Sequence, residues 1–136
     1  MGLWVKGPLK SQRHSVGEIS GMPVQPATYN IRPQRRADYV LSVQFKDSTG
    51  TGINLTGWTC IAQVWDKERV NKYGDFTVTY VDRATGRVQL KLPYAITASL
   101  PLGGYAQYDV MLVNQSGLRE YYMEGIVRPS EGYSTP

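Results

Sequence analysis

Residues 39–45, YVLSVQF, carry large apolar side chains at every second position, and Ser42 and Gln44 stand between them. A period of two is the spacing of a half-buried β-strand, because successive side chains point to opposite faces of a sheet. The same alternation recurs in residues 58–64, WTCIAQV, and in residues 87–92, RVQLKL. The chain is therefore expected to be an all-β protein.

Further short alternating runs lie outward from these stretches. They occupy residues 28–31, 76–80, 105–113 and 118–128, with turns such as Asp82–Gly86 between them. About seven short strands in roughly 100 residues are typical of an immunoglobulin-like β-sandwich. A small closed barrel is the alternative that strand patterns leave open, and the strand count favours the sandwich.

Two stretches interrupt the alternation. Residues 65–75 are polar and contain Asn71 and Gly74, so they are predicted to form a loop. Residues 93–100 are predicted to form one short helical turn, because Pro93 suits a first helical position and Pro101 ends the turn.

The termini differ from the central domain. Residues 1–27 show no sustained period and contain repeated Gly and Pro, which predicts an extended arm. The domain is expected over residues 28–129, with a tail over residues 130–136. Residues 1–36 hold six basic residues against one acidic residue, whereas residues 37–136 hold nine basic and ten acidic residues. The basic arm is therefore expected to dock on an acidic surface.

The residues that usually carry catalysis or bind metal are scarce. His14 is the single histidine and Cys60 the single cysteine, so neither a metal cluster nor a catalytic triad is expected. One cysteine also excludes an intramolecular disulfide, which favours folding in a reducing compartment, and Cys60 is interpreted as a small buried hydrophobe. No cofactor, signal peptide or membrane span is expected.

Several short motifs follow one another in a fixed order along the domain. They are Arg36–Tyr39 (RADY), Leu55–Trp58 (LTGW), Asp82-x-x-x-Gly86-x-Val88, Thr97–Gly103 leading into Tyr108–Val110, and Gly125-x-Val127. This succession resembles the immunoglobulin-like domain family of tailed-bacteriophage virion proteins, including the N-terminal domain of phage baseplate upper proteins. The resemblance covers about residues 28–129. The family pattern usually runs Gly-x-Tyr-x-Tyr-Asp-Val, and here Ala106 replaces the first Tyr.

The resemblance implies a non-enzymatic structural protein of the virion, made in the host cytoplasm. Such a protein would be an assembly subunit of the tail, baseplate or fibre-attachment region, or a capsid decoration (cement) protein. Its implied partners are other virion structural proteins in a multi-copy homo- or hetero-oligomeric assembly. Neither nucleic acid nor a membrane is an expected partner.

The arm is expected to dock on a neighbouring subunit, for example by adding a strand to an exposed sheet edge. Its basic side chains would pair with an acidic surface, and its first apolar residues would anchor in a pocket. The predicted docking residues are Leu3, Trp4, Val5, Lys6, Lys10, Arg13, Arg35 and Arg36.

Two other functions are alternatives to assembly. A carbohydrate-binding adhesion module on the virion surface would use Trp65, Tyr73 and the outward ring of the pair Tyr121–Tyr122 as a stacking platform. A nucleic-acid binder would act through the basic arm, and its affinity would fall steeply with salt. The arm has few aromatic residues between its cations, so nucleic-acid binding is the weaker hypothesis.

Overall fold

A computed structural model describes the backbone of residues 2–5 and all atoms of residues 26–132. Within these ranges the chain forms nine strands, one helical turn and one 3₁₀ turn. The strands are β1 (Gly2–Val5), β2 (Ala27–Thr28), β3 (Tyr39–Lys46), β4 (Thr59–Asp66), β5 (Lys72–Asp75), β6 (Thr77–Asp82), β7 (Arg87–Leu92), β8 (Ala106–Val113) and β9 (Arg119–Val127). The helix α1 spans Tyr94–Thr97, and the 3₁₀ turn spans Arg83–Thr85.

The strands form two sheets. The four-stranded sheet has the order β1-β3-β7-β6, and the five-stranded sheet has the order β2-β9-β8-β4-β5. Only the short β2 pairs in parallel, with β9, and the other pairs are antiparallel. The chain is therefore an all-β immunoglobulin-like sandwich, as the alternating pattern predicts.

The core lies between the two sheets and is built from the inner positions of the alternating strands. Each of three strands buries every second side chain, in agreement with the predicted faces: Leu41, Val43 and Phe45 on β3, Cys60, Ala62 and Val64 on β4, and Val88, Leu90 and Leu92 on β7. Of the Tyr-Tyr pair in β9, Tyr122 is buried against Phe45 and Tyr121 is exposed.

The prediction of a loop over residues 65–75 was wrong in part. β4 continues to Asp66, and residues 72–75 form β5, which pairs antiparallel with β4 across a bulge at Val64 and Trp65. This edge strand carries no alternating apolar face, so its sequence lacks the strand signal. A Cβ at Gly74 would meet the side chain of Ile96, so this position favours glycine because the helical turn packs closely there.

The segment after β2 continues to run parallel to β9 and to the residues that follow β9. Isolated bridges pair Ile31 with Val127 and Gln34 with Ser130, both in parallel. The C-terminal segment through Ser130 therefore takes part in the fold, whereas the tail was predicted to begin at residue 130. The last four residues, 133–136, lie outside the described residues. No helix among the described residues is long and apolar enough to span a membrane.

Candidate functional site

The first candidate surface is the edge of the four-stranded sheet. There β1 pairs antiparallel with the second half of β3: Leu3 opposes Phe45, Trp4 opposes Gln44 and Val5 opposes Val43. The predicted arm therefore begins with a strand on its own domain.

The backbone directions at this edge follow from the bonds of Phe45. Its N–H donates to the Gly86 carbonyl at 2.9 Å, and its carbonyl accepts from the Ile53 N–H at 2.8 Å. Along a strand the backbone groups of successive residues point to opposite sides, so those of Gln44 point toward β1. Trp4 and Gln44 therefore form the pair that exchanges both backbone hydrogen bonds, and β1 closes this edge.

The predicted docking residues separate into three groups. Leu3, Trp4 and Val5 lie in β1. Lys6, Lys10 and Arg13 lie outside the described residues. Arg35 and Arg36 belong to the folded domain.

Both of these arginines pair with Glu131. Arg35 Nη1 lies 3.2 Å from Glu131 Oε2, and Arg36 Nη2 lies 2.7 Å from Glu131 Oε1. Arg35 Nη2 also donates to the Ala98 carbonyl at 2.8 Å. The two guanidinium groups therefore fasten the start of the domain to its C-terminal segment. They are committed within the chain rather than free for a partner.

The second candidate surface is a pocket of about 340 Å³ on the outer face of the five-stranded sheet. Its lining comes from the segment around β2, from β4, β8 and β9, and from the β4–β5 turn. The lining residues are Thr28, Asn30, Gln63, Trp65, Asp66, Arg69, Gln107, Tyr108, Asp109, Glu124, Gly125 and Ile126.

The register of the strands arranges the outward side chains in two rows. In the first row Gln63 opposes Asp109, Asp109 opposes Glu124, and Glu124 opposes Thr28. In the second row Gln107 lies between Trp65 and Ile126. Directly opposed residues have Cβ atoms about 5 Å apart, so each row presents closely spaced functional groups.

The β2 side of the pocket depends on close backbone packing. The Tyr29 N–H donates to the Glu124 carbonyl at 2.9 Å, and the buried Tyr108 hydroxyl donates to the Tyr29 carbonyl. A Cβ at Gly125 would clash with that same carbonyl. Glycine at this position therefore lets β2 approach β9 and form one wall of the pocket.

Trp65 is held in a fixed orientation at the end of the pocket opposite β2. Its Nε1 donates to Gln63 Oε1 at 2.9 Å, and the Arg69 guanidinium lies 4.5 Å from its ring centroid. Arg69 reaches this position from a turn in which its φ is +57° and in which Asp66 accepts backbone N–H bonds from Val70 and Asn71. These bonds, that from Val70 first, lower the pKa of Asp66.

Tyr73, the second residue of the predicted glycan platform, is not part of this pocket. It is half-buried and packs against the hydrophobic core from β5. Trp65 and Tyr73 are therefore not brought together as one stacking surface. Sequence reasoning found Trp65 but missed Gln63, Gln107, Asp109 and Glu124. The available signal was a set of polar residues on alternate positions of neighbouring strands.

The two carboxylates in the first row lie side by side without a direct ion pair. Neither Asp109 nor Glu124 forms an ion pair with a described residue. Burial raises the pKa of Asp109, and the negative charge of Glu124 raises it further, while Arg69 acts in the opposite direction. The pocket thus keeps a half-buried carboxyl beside a second acid.

No group of three or more His, Cys, Asp or Glu side chains in the described part of the chain could hold a metal ion. Cys60 is buried in the core, and burial raises the pKa of its thiol to about 12. Its predicted role as a small buried hydrophobe is confirmed by its place in the core.

Comparisons with known proteins add little beyond this geometry. No protein-family model matches the sequence, and no curated protein matches it significantly. Among solved structures, this chain is similar to the crystal structure of the Lin-41 filamin domain. The match covers 74% of this chain and 84% of that chain, with 19% sequence identity and a TM-score of 0.42.

Proposed function

We propose that this protein is a structural subunit of a bacteriophage virion, without enzymatic activity, that joins its neighbours through its N-terminal arm. The order of motifs along residues 28–129 supports the virion assignment, because it resembles domains that build tailed-phage particles. The observation that carries the mode of joining is the pairing of Gly2–Val5 with β3.

Strand pairing suits a joint between subunits because it depends mainly on backbone hydrogen bonds. Without β1, the backbone groups of Gln44 would lie on an open sheet edge, which readily accepts another strand. The segment between β1 and β2 comprises 21 residues. A fully extended segment of that length spans at most about 70 Å. Its length therefore permits β1 to reach the edge of an adjacent subunit.

Exchange between copies would conserve the contacts of the isolated chain. If each subunit accepts β1 of a neighbour in the same register, the number of backbone bonds does not change. The two arrangements then differ little in free energy, and the high local concentration of subunits in a particle favours exchange. In this proposal the sandwich serves as the rigid body and β1 as the connector.

The virion assignment is tested on purified particles of the phage that encodes this chain. Mass spectrometry should detect the protein there, and its absence from particles contradicts the assignment. A variant lacking residues 1–25, which keeps β2 (Ala27–Thr28) intact, should remain folded by circular dichroism and yet fail to enter particles. Normal incorporation of that variant contradicts the docking role of the arm.

Strand exchange is tested by disulfide trapping. Trp4→Cys with Gln44→Cys, in a Cys60→Ala background, places two thiols at directly paired positions. Oxidation of mixed light and heavy-isotope protein should give disulfides within one chain in dilute solution and mixed-isotope pairs after assembly. Disulfides that stay within single chains in the particle contradict exchange. Trp4→Cys with Gln89→Cys is the matched control, because Gln89 lies on β7 and does not pair with β1.

A further inference from the structure

The pocket on the five-stranded sheet lies away from the edge that β1 closes, so the assembly role does not use it. β1 belongs to the other sheet, whereas the pocket spans the outer face across β4, β8 and β9. The outward positions of a sheet that only faces water need no particular set of side chains. Here they form a cavity with a fixed aromatic residue, amides and acids.

Both hydrogen-bond donors and acceptors in the pocket remain available. Gln63 uses its Oε1 for Trp65, so its amide nitrogen is free to donate, and Asn30 uses its Oδ1 for the Ile126 N–H at 2.9 Å. The side chains of Gln107, Asp109 and Glu124 make no hydrogen bond to another described residue. The amides donate and accept, whereas an ionised carboxylate only accepts.

This mixture narrows the chemical class of the ligand. An anion would be repelled, because three carboxylates, Asp66, Asp109 and Glu124, line the pocket together with one guanidinium, that of Arg69. A small cation would satisfy the two acids but leave the amide donors of Gln63 and Asn30 without acceptors. Each hydroxyl group both donates and accepts, so a ligand dense in hydroxyls can satisfy neighbouring amides and acids together.

The second row of side chains adds apolar surface to the pocket. Trp65 and Ile126 flank Gln107, so apolar surface lies on both sides of an amide. The Arg69 guanidinium covers one face of the indole and is itself exposed at the pocket. A ring with polar edges and apolar C–H faces can contact the first row through hydroxyls and the flanking side chains through its carbons.

We propose that this pocket binds an uncharged saccharide, whose hydroxyls bond to Gln63, Gln107, Asp109 and Glu124. The proposal does not depend on the virion assignment or on strand exchange. It assigns Trp65 a role as a pocket wall that holds Gln63 in place, not as an open stacking platform shared with Tyr73.

The test is binding of full-length protein to an array of neutral oligosaccharides, with matched sialylated or uronic-acid oligosaccharides and spermidine as comparison ligands. Titration calorimetry on the best neutral ligand then measures affinity. Gln107→Ala and Glu124→Ala should each lower affinity by about tenfold, as expected for loss of a hydrogen-bonding partner. Trp65→Ala should abolish binding. Glu68→Ala is the matched control, because Glu68 is exposed in the adjacent turn and does not line the pocket.

A charge-neutral variant separates a saccharide from a cationic ligand. Glu124→Gln keeps a hydrogen-bonding group and should lower saccharide affinity by no more than about threefold, whereas loss of an ion-pairing charge costs more. The proposal is overturned if no neutral oligosaccharide binds, if bound saccharide is insensitive to Gln107→Ala and Glu124→Ala, or if spermidine binds in the pocket and no saccharide does. These outcomes are independent of whether the protein enters particles.

Discussion

At the scale of single residues, the opposition of Asp109 and Glu124 is unfavourable for folding. Two like charges directly opposed on antiparallel strands destabilise a sheet by a few tenths to about 1 kcal/mol. Burial and Glu124 raise the pKa of Asp109 in the folded protein. The folded state therefore binds this proton more tightly than the unfolded state. Stability from this group is full below the unfolded pKa and is lost as pH rises through the folded pKa.

Asp109→Asn should therefore stabilise the protein at neutral pH and have little effect in acid. We expect the free energy of unfolding to rise by about 0.5 kcal/mol at neutral pH, because the cross-strand repulsion is removed. At about pH 3 wild type and variant should agree, because most carboxyl groups are then protonated. Urea unfolding at both pH values measures this, with Glu68→Gln as a control. Equal stabilisation at both pH values would contradict the electrostatic explanation.

A second residue-scale prediction concerns Tyr122. Its ring packs edge-on against Phe45, but its buried hydroxyl has no hydrogen-bond partner among the described residues. Burial of an unbonded hydroxyl is unfavourable, so Tyr122→Phe removes the hydroxyl and its desolvation cost while keeping the packed ring. We expect the free energy of unfolding to stay the same or to rise by about 1 kcal/mol. A loss of more than that in thermal or urea unfolding would show that the hydroxyl makes a stabilising bond.

At the scale of elements, Glu131 joins the two ends of the described domain. Two half-buried guanidinium groups share its carboxylate, and within residues 26–132 Arg35 Nε and Arg36 Nε have no hydrogen-bond partner of their own. Glu131→Gln should lower the free energy of unfolding by about 1 kcal/mol, since two partly exposed ion pairs are lost.

Salt distinguishes this effect from a packing change. The difference between wild type and Glu131→Gln should shrink at high salt, because partly exposed pairs are screened. Asp75→Asn is the control, since it removes the exposed Lys72–Asp75 pair and should change stability little. If both variants change the urea midpoint equally, the ion pairs of Glu131 with Arg35 and Arg36 have no special role.

Alternation predicted the strands that bury one apolar face, and it failed for two short edge strands whose sequences do not alternate. β3, β4 and β7 each place apolar residues on one side, so their sequences carry a period of two. β5 contains Gly74 and polar residues, and the four residues of β1 are too few to establish a period. Both are edge strands, each paired with a single neighbouring strand.

The same limit applies to the pocket at the scale of the whole molecule. Trp65 could be selected from the sequence as a large aromatic residue next to a polar stretch, but Gln63, Asp109 and Glu124 are ordinary polar residues of three different strands. Their proximity depends on the order β9-β8-β4 and on register, which a single strand pattern does not contain. Arg35 and Arg36 were selected as docking residues because of their charge. Their partner Glu131 lies far along the chain, so the sequence did not indicate that they pair within the domain.

The state of the whole molecule should depend on whether β1 is present. Removing residues 1–5 leaves the backbone groups of Gln44 unpaired on an open edge, and such edges pair with other chains. We expect the shortened protein to remain folded by circular dichroism and to associate with rising concentration in analytical ultracentrifugation. A synthetic peptide of residues 1–8 should restore the monomer, because it closes the edge, whereas a peptide with Trp4→Pro lacks the donor to Gln44 and should not. A shortened protein that stays monomeric at all concentrations would mean that β3 does not act as an acceptor edge, and strand exchange would then have no receiving site.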